Sequence, residues 1–217
     1  MKMGTSTIFM QDGTKPAKRP RGRPRRYDPD EALDRALGAF WRRGFSGTSL
    51  DDLVEATGMN RPSLYAAFGD KRAIYGRCLE RFVARMRAEA DETLFGEADL
   101  ARALLRFYES ALDVYFSLSP PLGCFVMCTV PAEALSDETL RNHLAGVMRE
   151  LDEVLTTRFE QARANGAAIP NARAAAHLAQ AVLHSLALRA RAGASIALLR
   201  RIAREAVALL CHSRHRG

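Results

Sequence analysis

The stretch SLDDLVEATGMNRPSLYAAF, residues 49–68, contains two short helical segments separated by a glycine turn. Ser49 and Asn60 are residue types that cap helix N-termini, and Gly58 suits the left-handed conformation of a turn. Two short helices joined by such a turn form a helix-turn-helix. The residues that would bury this pair against a preceding helix are all apolar: Leu50, Leu53, Val54, Met59, Leu64 and Phe68.

Helical signals continue on both sides of this stretch. Upstream, Asp28 and Pro29 supply a cap and a first-turn proline for a helix that runs to Arg43. Downstream, Asp70 caps a helix that reaches about Asp91, roughly 30 Å at 1.5 Å per residue. Because alternation typical of strands is absent, the sequence predicts an all-α fold. Further helices are expected at about 98–118, 123–135, 138–165, 172–192 and 195–211.

The first turn of the second short helix would face outward with side chains that suit nucleic acid. Arg61 can donate two hydrogen bonds to guanine, worth ~1–3 kcal/mol of base discrimination, and Ser63 can donate or accept. Pro62 is tolerated there because the early amides of a helix lack intrahelical partners. Hydroxyls, an ammonium group and a helix N-terminus suit phosphates, which predicts contacts from Thr48, Ser49, Tyr65 and Lys71. A purely structural helical hairpin is the alternative.

A basic arm, KPAKRPRGRPRR at residues 15–26, holds seven cationic residues and no acidic residue. The formal net charge of the chain is also +7, so the charges of all other residues cancel. Three prolines and a glycine disfavour regular structure, and we expect the arm to be disordered until it meets a polyanion. Its composition suits the minor groove, with candidate contacts from Arg19, Arg21, Arg23, Arg25 and Arg26. A solvated tail that only aids solubility is the alternative.

Residues 40–79, FWRRGFSGTSLDDLVEATGMNRPSLYAAFGDKRAIYGRCL, resemble the TetR family of bacterial one-component regulators. The resemblance is carried by Gly44, Thr48, Ser49, Ala56, Gly58, Met59, Leu64, Tyr65, Phe68, Asp70 and Lys71. It implies an all-helical homodimer on double-stranded DNA, with a three-helix DNA-binding domain at 27–74 and an effector-binding and dimerisation domain at 75–217. Residues 1–26, which contain the basic arm, are expected to form a disordered N-terminal segment before these domains. It also implies operator contacts from Thr48, Ser49, Arg61, Pro62, Ser63, Tyr65 and Lys71.

Two positions depart from the family pattern. Ala67 stands where many members have His before the Phe, which removes one phosphate donor. Pro62 stands where many members have Gly, which alters the approach of the helix to DNA. The arm is also longer than usual in the family, and we expect it to add affinity that the short helix lacks.

The second half of the chain contains aromatic and thioether side chains suited to an apolar pocket for a small-molecule effector. The candidate pocket residues are Phe107, Tyr108, Tyr115, Phe116, Cys124, Phe125, Met127, Cys128, Met148 and Phe159. An ordinary hydrophobic core is the alternative for each of them.

Cys124 and Cys128 form a pair four residues apart. Members of the TetR family often carry Gly-Cys at the start of the sixth helix, and Gly123-Cys124 resembles that pattern. A helix N-terminus favours a thiolate, so Cys124 is the candidate for reaction with an electrophile or an oxidant. A disulfide would require local unwinding, because Cβ atoms four residues apart on a helix are ~5–6 Å apart and a disulfide needs ~3.5–4.5 Å. Two buried structural cysteines are the alternative.

The last two predicted helices carry stripes of small and branched apolar residues. Such stripes allow close helix approach across a two-fold axis, and the resemblance assigns this helix pair to the dimer contact. The candidate interface residues are Leu178, Val182, Ser185, Leu186, Ile196, Leu199, Ile202, Ala206 and Leu210. A monomeric bundle closed by the same stripes is the alternative.

Several classes of protein are excluded by what the sequence lacks. No apolar run is long enough for a membrane span, and the N-terminus has too short an apolar patch for a signal peptide, so we expect a cytoplasmic protein with reduced cysteines. We find no phosphate loop, nucleophile elbow or paired acids that would indicate an enzyme. The histidines have too few carboxylate or thiolate neighbours to specify a metal, and no cofactor is expected.

The sequence therefore predicts a ligand-responsive transcriptional regulator. We expect a repressor that leaves a palindromic operator when a small apolar or electrophilic effector binds the C-terminal domain. The alternative is an architectural nucleic-acid-binding protein that acts mainly through its basic arm.

Overall fold

The computed structural model describes residues 28–211, and the regular structure in this range is entirely helical. This confirms the all-α prediction. The helices are α1 (Pro29–Arg43), α2 (Leu50–Thr57), α3 (Arg61–Phe68), α4 (Lys71–Phe95), α5 (Leu100–Tyr115), α6 (Phe125–Glu133), α7 (Glu138–Ala164), α8 (Ala172–Arg191) and α9 (Ile196–Cys211). Most bounds lie within two or three residues of the expected ones, but α4 extends one turn further.

Local caps set the beginnings of the first helices. The side chains of Asp28, Asn60 and Asp70 accept hydrogen bonds from backbone amides in the first turns of α1, α3 and α4. Ser49 and Asp52 form a reciprocal capping box at the start of α2. Gly58 ends α2 in the left-handed conformation, with φ of 69°. These local bonds determine where the first four helices begin, as the sequence predicted.

One hydrophobic core joins the helix-turn-helix to α6. Phe40, Leu53 and Leu64 are almost fully buried where α1, α2 and α3 meet. Tyr75 of α4 packs edge-on against Phe40 and against Phe125 of α6, with ring centroids 5.0 and 5.7 Å apart. The N-terminal helices therefore share their core with the remainder of the chain.

A second core lies between α5, α7, α8 and α9. Tyr108 and Phe159 are fully buried in it, and the Tyr108 hydroxyl donates a hydrogen bond to the Ala179 carbonyl at 2.9 Å. Small side chains on α8, such as Ala176 and Ala187, allow the neighbouring helices to approach closely. This core supports one side of the cavity described below.

Gly123 lies where the connection between α5 and α6 passes closest to α8. Its φ is 68°, and a Cβ at this position would clash with the Ala187 carbonyl oxygen. We expect Gly123→Ala to lower the free energy of unfolding by about 2 kcal/mol, because it adds left-handed strain to a backbone collision.

Gly146→Ala is the matched control for this substitution. Gly146 lies inside α7 with open space around its Cα, so the added methyl group should stabilise the helix by about 0.5–1 kcal/mol. Urea unfolding of both variants measures the difference. Equal effects at the two positions would contradict the close approach at Gly123.

Candidate DNA-binding surface and effector cavity

The exposed side of α3 carries several of the residues proposed to contact DNA. Arg61, Pro62 and Tyr65 are exposed, and 44% of the Tyr65 surface is accessible. Ser63 is half-buried, and its amide donates to the Asn60 side chain at 2.9 Å. These four side chains lie in the first two turns of α3, so a single DNA groove could contact all of them.

Arg61 forms an ion pair with Asp51 of α2. The guanidinium donates to one Asp51 carboxylate oxygen through Nη2 at 2.6 Å and through Nε at 3.2 Å. This contact raises the pKa of Arg61. Exposed ion pairs contribute little to stability, so the pair orients the guanidinium without preventing its transfer to a base edge.

The other predicted phosphate contacts have different environments. Ser49 is exposed, but its hydroxyl is bonded to Asp52 within the capping box. The Lys71 ammonium lies 4.4 Å from the centroid of the Phe45 ring and is half-buried. Part of the bonding capacity of both side chains is therefore already used within the protein.

The prediction that the Thr48 side chain contacts a phosphate is wrong. Thr48 is 1% exposed, and its hydroxyl donates to the Gly44 carbonyl at 2.7 Å. A β-branched side chain at the end of the α1–α2 turn packs inward and satisfies the terminal carbonyl of α1. Thr48 therefore shapes this turn and has no surface to offer a phosphate. The five arginines proposed to enter the minor groove lie outside the described residues.

An apolar cavity of about 240 Å³ lies between α4, α5, α6, α7 and α8. Half of the candidate pocket residues line it: Phe107, Tyr115, Cys124, Met127 and Met148. Further lining residues escaped the sequence analysis, namely Phe82, Val83, Met86 and Ala90 of α4, Val147, Leu151 and Val154 of α7, and Gln180, Leu183 and His184 of α8. The spacing of four residues between Phe82, Met86 and Ala90 was the sequence signal that could have placed α4 in the cavity wall.

The remaining five candidates lie outside the cavity. Tyr108, Phe125 and Phe159 are fully buried among other side chains. Phe116 ends α5 and packs against the second core, and Cys128 lies against Gly123 on another side of α6. The expectation that these five line the cavity is wrong: interior packing occupies the surfaces of Tyr108, Phe125 and Phe159, and Phe116 and Cys128 are half-buried elsewhere.

The acidity of Cys124, the N-cap residue of α6, differs from the one expected. Burial raises the pKa of Cys124 to about 12, although amides of the first turn of α6 partly oppose the increase. Burial also raises the pKa of Cys128, with a smaller opposing effect from Arg191. Both groups are therefore thiols at neutral pH. Desolvation outweighs the helix dipole, so the expectation of a favoured thiolate at Cys124 is wrong.

Similarity to known proteins covers both halves of the chain. Residues 32–78 match the family model described as bacterial regulatory proteins, tetR family. The transcriptional repressor ComR of Escherichia coli strain K12 is 36% identical over 200 residues, which are 88% of this chain and 93% of ComR. The chain belongs to the TetR family. It is a DNA-binding transcriptional regulator and not an enzyme, as the sequence predicted.

Solved TetR-family structures share the fold of this chain. A cysteine mutant of the TetR-family regulator CifR, in complex with 26-bp double-strand operator DNA, has a TM-score of 0.76 and 27% identity. The match covers 86% of this chain and 98% of CifR. The reduced form of NemR from E. coli has a TM-score of 0.70 at 22% identity, over 85% of this chain and 95% of NemR, which supports the fold.

In this TetR-family chain, the proposed dimer stripes on α8 and α9 are only partly accessible. Leu178 is 60% exposed, and Leu188 and Leu209, which the sequence analysis did not select, are also largely exposed. Val182, Ser185, Ile196, Ile202, Ala206 and Leu210 are half-buried. The proposal of Leu186 and Leu199 as interface residues is wrong: both are fully buried in the second core and have no surface for another chain.

Hydrogen bonds connect α1 and the turn after it to the helices around the cavity. Arg191 at the end of α8 donates to the carbonyl oxygens of Trp41 and Leu122 at 3.1 and 3.2 Å. Ser46, after α1, donates its hydroxyl to Glu133 of α6 at 2.9 Å. α1 and the turn after it therefore contact α6 and α8 as well as α4.

Neither a metal nor a membrane site is indicated in the described range. Residues 28–211 contain no cluster of three potential metal ligands among His, Cys, Asp and Glu. Within the same range, the helices are too short or too polar to cross a bilayer.

Proposed function

We propose that this TetR-family chain is a homodimeric repressor that leaves a palindromic operator when a small apolar molecule occupies the cavity. The observation that carries this proposal is the position of α4. Ile74 and Tyr75 at its start are buried with the helix-turn-helix, whereas Phe82, Val83 and Met86 line the cavity. One helix therefore contacts both the DNA-binding unit and the effector site.

Two relatives support binding to an operator. ComR is named as a transcriptional repressor, and CifR has been solved on operator DNA with almost its whole chain matched by this one. By analogy, α3 would enter the major groove with Arg61, Pro62, Ser63 and Tyr65 toward the bases and the backbone. We place the DNA-binding domain at residues 27–74 and the effector-binding and dimerisation domain at residues 75–217.

The dimer would use the accessible sides of α8 and α9. Leu178, Leu188 and Leu209 are large apolar side chains exposed on these helices. A two-fold interface covers the same surface on both copies, so one pairing of the α8–α9 faces would bury these side chains from both chains. The dimer would present its two α3 helices to successive major grooves, ~34–36 Å apart.

The effector would act by shifting the population of two dimer states. Phe82 lines the cavity and also packs edge-on against Trp41 of α1, with ring centroids 5.2 Å apart. A ligand that requires a new position of Phe82 would favour a different tilt of α1 and α4. The dimer would then hold its recognition helices at the wrong spacing for the operator, and DNA would dissociate.

A reversible apolar effector agrees better with the cavity than an electrophile does. Because the raised pKa keeps Cys124 protonated, its reaction with an electrophile would be slow unless the effector itself changed the environment of the thiol. Thiol-reagent titration of the native protein tests the electrophile alternative. Reaction of Cys124 faster than in the unfolded chain would favour the electrophile.

Footprinting on fragments selected from a random DNA pool tests the repressor proposal. We expect protection of a palindrome whose half-sites face the same side of the duplex. Uniform coating of DNA that salt removes, without a protected palindrome, would instead favour an architectural nucleic-acid-binding protein.

Deletion of residues 15–26 separates the contribution of the arm from that of α3. Each lost phosphate contact reduces the slope of log affinity against log salt by ~0.9, so the seven cations of the arm can contribute up to about 6 per protomer. We expect a shallower slope with retained preference for the palindrome, measured by gel shift at 50–200 mM salt. Loss of all binding and all preference would favour the architectural alternative.

A further inference from the structure

Tyr115 of α5 places a buried hydroxyl at the cavity wall. The residue is 3% exposed and lines the cavity, and within residues 28–211 its hydroxyl forms no hydrogen bond and is not completely enclosed. The other fully buried tyrosines differ: Tyr108 donates to the Ala179 carbonyl, and Tyr75 pairs with Thr129 at 2.7 Å. A ligand oxygen in the cavity that accepts a hydrogen bond from Tyr115 would therefore meet a donor that the protein leaves free.

The Tyr115 hydroxyl can act as a hydrogen-bond donor at any physiological pH. Burial holds its pKa well above 10, so the phenol keeps its proton. Two other polar groups of the wall already donate within the protein: the Ser110 hydroxyl to Glu89 and the Gln180 amide to the Met148 carbonyl. Tyr115 is therefore the wall residue with an uncommitted O–H.

The charges around the cavity disfavour an anionic ligand. Among the lining residues the cationic side chain is Arg87, and it is paired with Glu150. Glu89 and Asp91 add two more negative charges, and burial lowers the pKa of His184, which keeps that ring neutral. A buried carboxylate would lose its hydration without a cation to compensate.

The volume of the cavity limits the size of the ligand. An engineered apolar cavity of about 150 Å³ in another protein binds benzene. The present cavity of about 240 Å³ admits one ring with a short substituent. Its walls combine aromatic rings, such as Phe82 and Phe107, with the flexible thioethers of Met86, Met127 and Met148, which adapt to different ring substituents.

We propose that the cavity binds an uncharged, single-ring-sized apolar molecule carrying one hydrogen-bond-accepting oxygen, and that the Tyr115 hydroxyl donates to that oxygen. This inference rests on the proposed function, since it names the chemical class of effector for the same cavity. The ligand binds reversibly and forms no covalent bond.

Three probes of similar size separate the parts of this proposal. Acetophenone has a ring and a carbonyl oxygen, α-methylstyrene replaces that oxygen by a CH₂ group, and benzoate carries a negative charge. Binding is followed by isothermal titration and by the fluorescence of Trp41, the single tryptophan, which packs against Phe82 of the cavity wall. We expect acetophenone to bind about 10-fold more tightly than α-methylstyrene, because only acetophenone can accept a buried hydrogen bond. We expect benzoate to bind most weakly of the three.

The Tyr115→Phe variant should lose the preference for acetophenone while it keeps or improves binding of α-methylstyrene. Its thermal stability should be unchanged or higher, because the removed hydroxyl has no partner in the protein. Tyr108→Phe is the control: it loses the bond to Ala179, so stability should fall while the preference for acetophenone remains. Both variants keep the ring and its packing.

Any of the following results would overturn the inference: equal binding of the two uncharged probes, a preference that survives in Tyr115→Phe, or no binding of either uncharged probe up to its solubility. Tightest binding of benzoate would also overturn it. These titrations use protein without DNA, so they are independent of the footprint. If the Tyr115-dependent preference is observed but no uncharged probe dissociates the protein from operator DNA, the proposed effector role is wrong. The ligand site at Tyr115 is then still supported.

Discussion

Replacing Arg158 by Met is expected to lower the free energy of unfolding by about 3 kcal/mol. Arg158 of α7 is only 4% exposed, and its guanidinium donates to three backbone carbonyls. Nε bonds to Leu94 at 2.6 Å, and Nη2 bonds to Glu97 and Ala98 at 3.0 and 2.9 Å. These carbonyls lie at and just beyond the last turn of α4, where a cation also meets the negative end of the helix dipole. Methionine fills similar space but leaves them without donors.

Arg149→Met is the control for this substitution. Arg149 lies on the same helix but is exposed and has no hydrogen bond or ion pair within residues 28–211, so its loss should change stability by less than about 0.5 kcal/mol. Urea unfolding measures both variants, and amide exchange should show lost protection from Leu94 to Asp99 in Arg158→Met alone. Similar losses in the two variants would mean that the carbonyl contacts contribute little.

Replacing Arg61 by Ala is expected to weaken operator binding by about 10- to 100-fold, as the loss of a two-bond contact to a base does. The change should reduce the ratio of specific to non-specific affinity, because Arg61 lies at the exposed start of α3. Arg61→Lys keeps the charge but cannot form the same pair of bonds. It should therefore retain the salt dependence and still lose discrimination at one base pair of each half-site.

Arg102→Ala controls for the loss of one positive charge. Arg102 is exposed at the start of α5, and its ion pairs with Glu97 and Asp99 are 3.4 and 3.9 Å long. We expect operator affinity within about two-fold of the original, since a single charge far from DNA is screened by salt. Gel shifts with the selected palindrome and with scrambled DNA compare all three variants. If Arg61→Lys behaves as the original protein, Arg61 contacts a phosphate and not a base.

The N-terminal helices were predictable because their signals are local. Asp28, Ser49, Asn60 and Asp70 each accept a hydrogen bond from an amide two or three residues away. Such bonds depend on the identity of neighbouring residues and little on the remaining chain. The end of α4 was predicted one turn early, at about Asp91, although Gly96 at its C-cap is a local signal. The helix continues past Asp91 to Phe95, where Arg158 caps it from 64 residues away along the sequence.

Only half of the candidate pocket residues line the cavity, because the side of a helix that faces it depends on distant segments. α6 is apolar on nearly all sides, so periodicity cannot decide which side faces the cavity. Met127 lines the cavity, whereas Phe125, two residues earlier, is fully buried against Tyr75 and Phe82. The contribution of α4 was missed because its apolar residues also fit a helix that packs against the DNA-binding unit.

The sequence by itself determined the capped helices from Asp28 to Asp70, the outward position of Arg61 and the concentration of net charge at residues 15–26. These properties arise from neighbouring residues and from the periodicity of a helix. Only the tertiary structure decided that Leu199 is internal while Leu178 is exposed, and that the pKa of Cys124 is raised by burial and not lowered by the helix N-terminus. Burial is the physical reason, since the accessibility and acidity of a side chain depend on distant segments that exclude water from it.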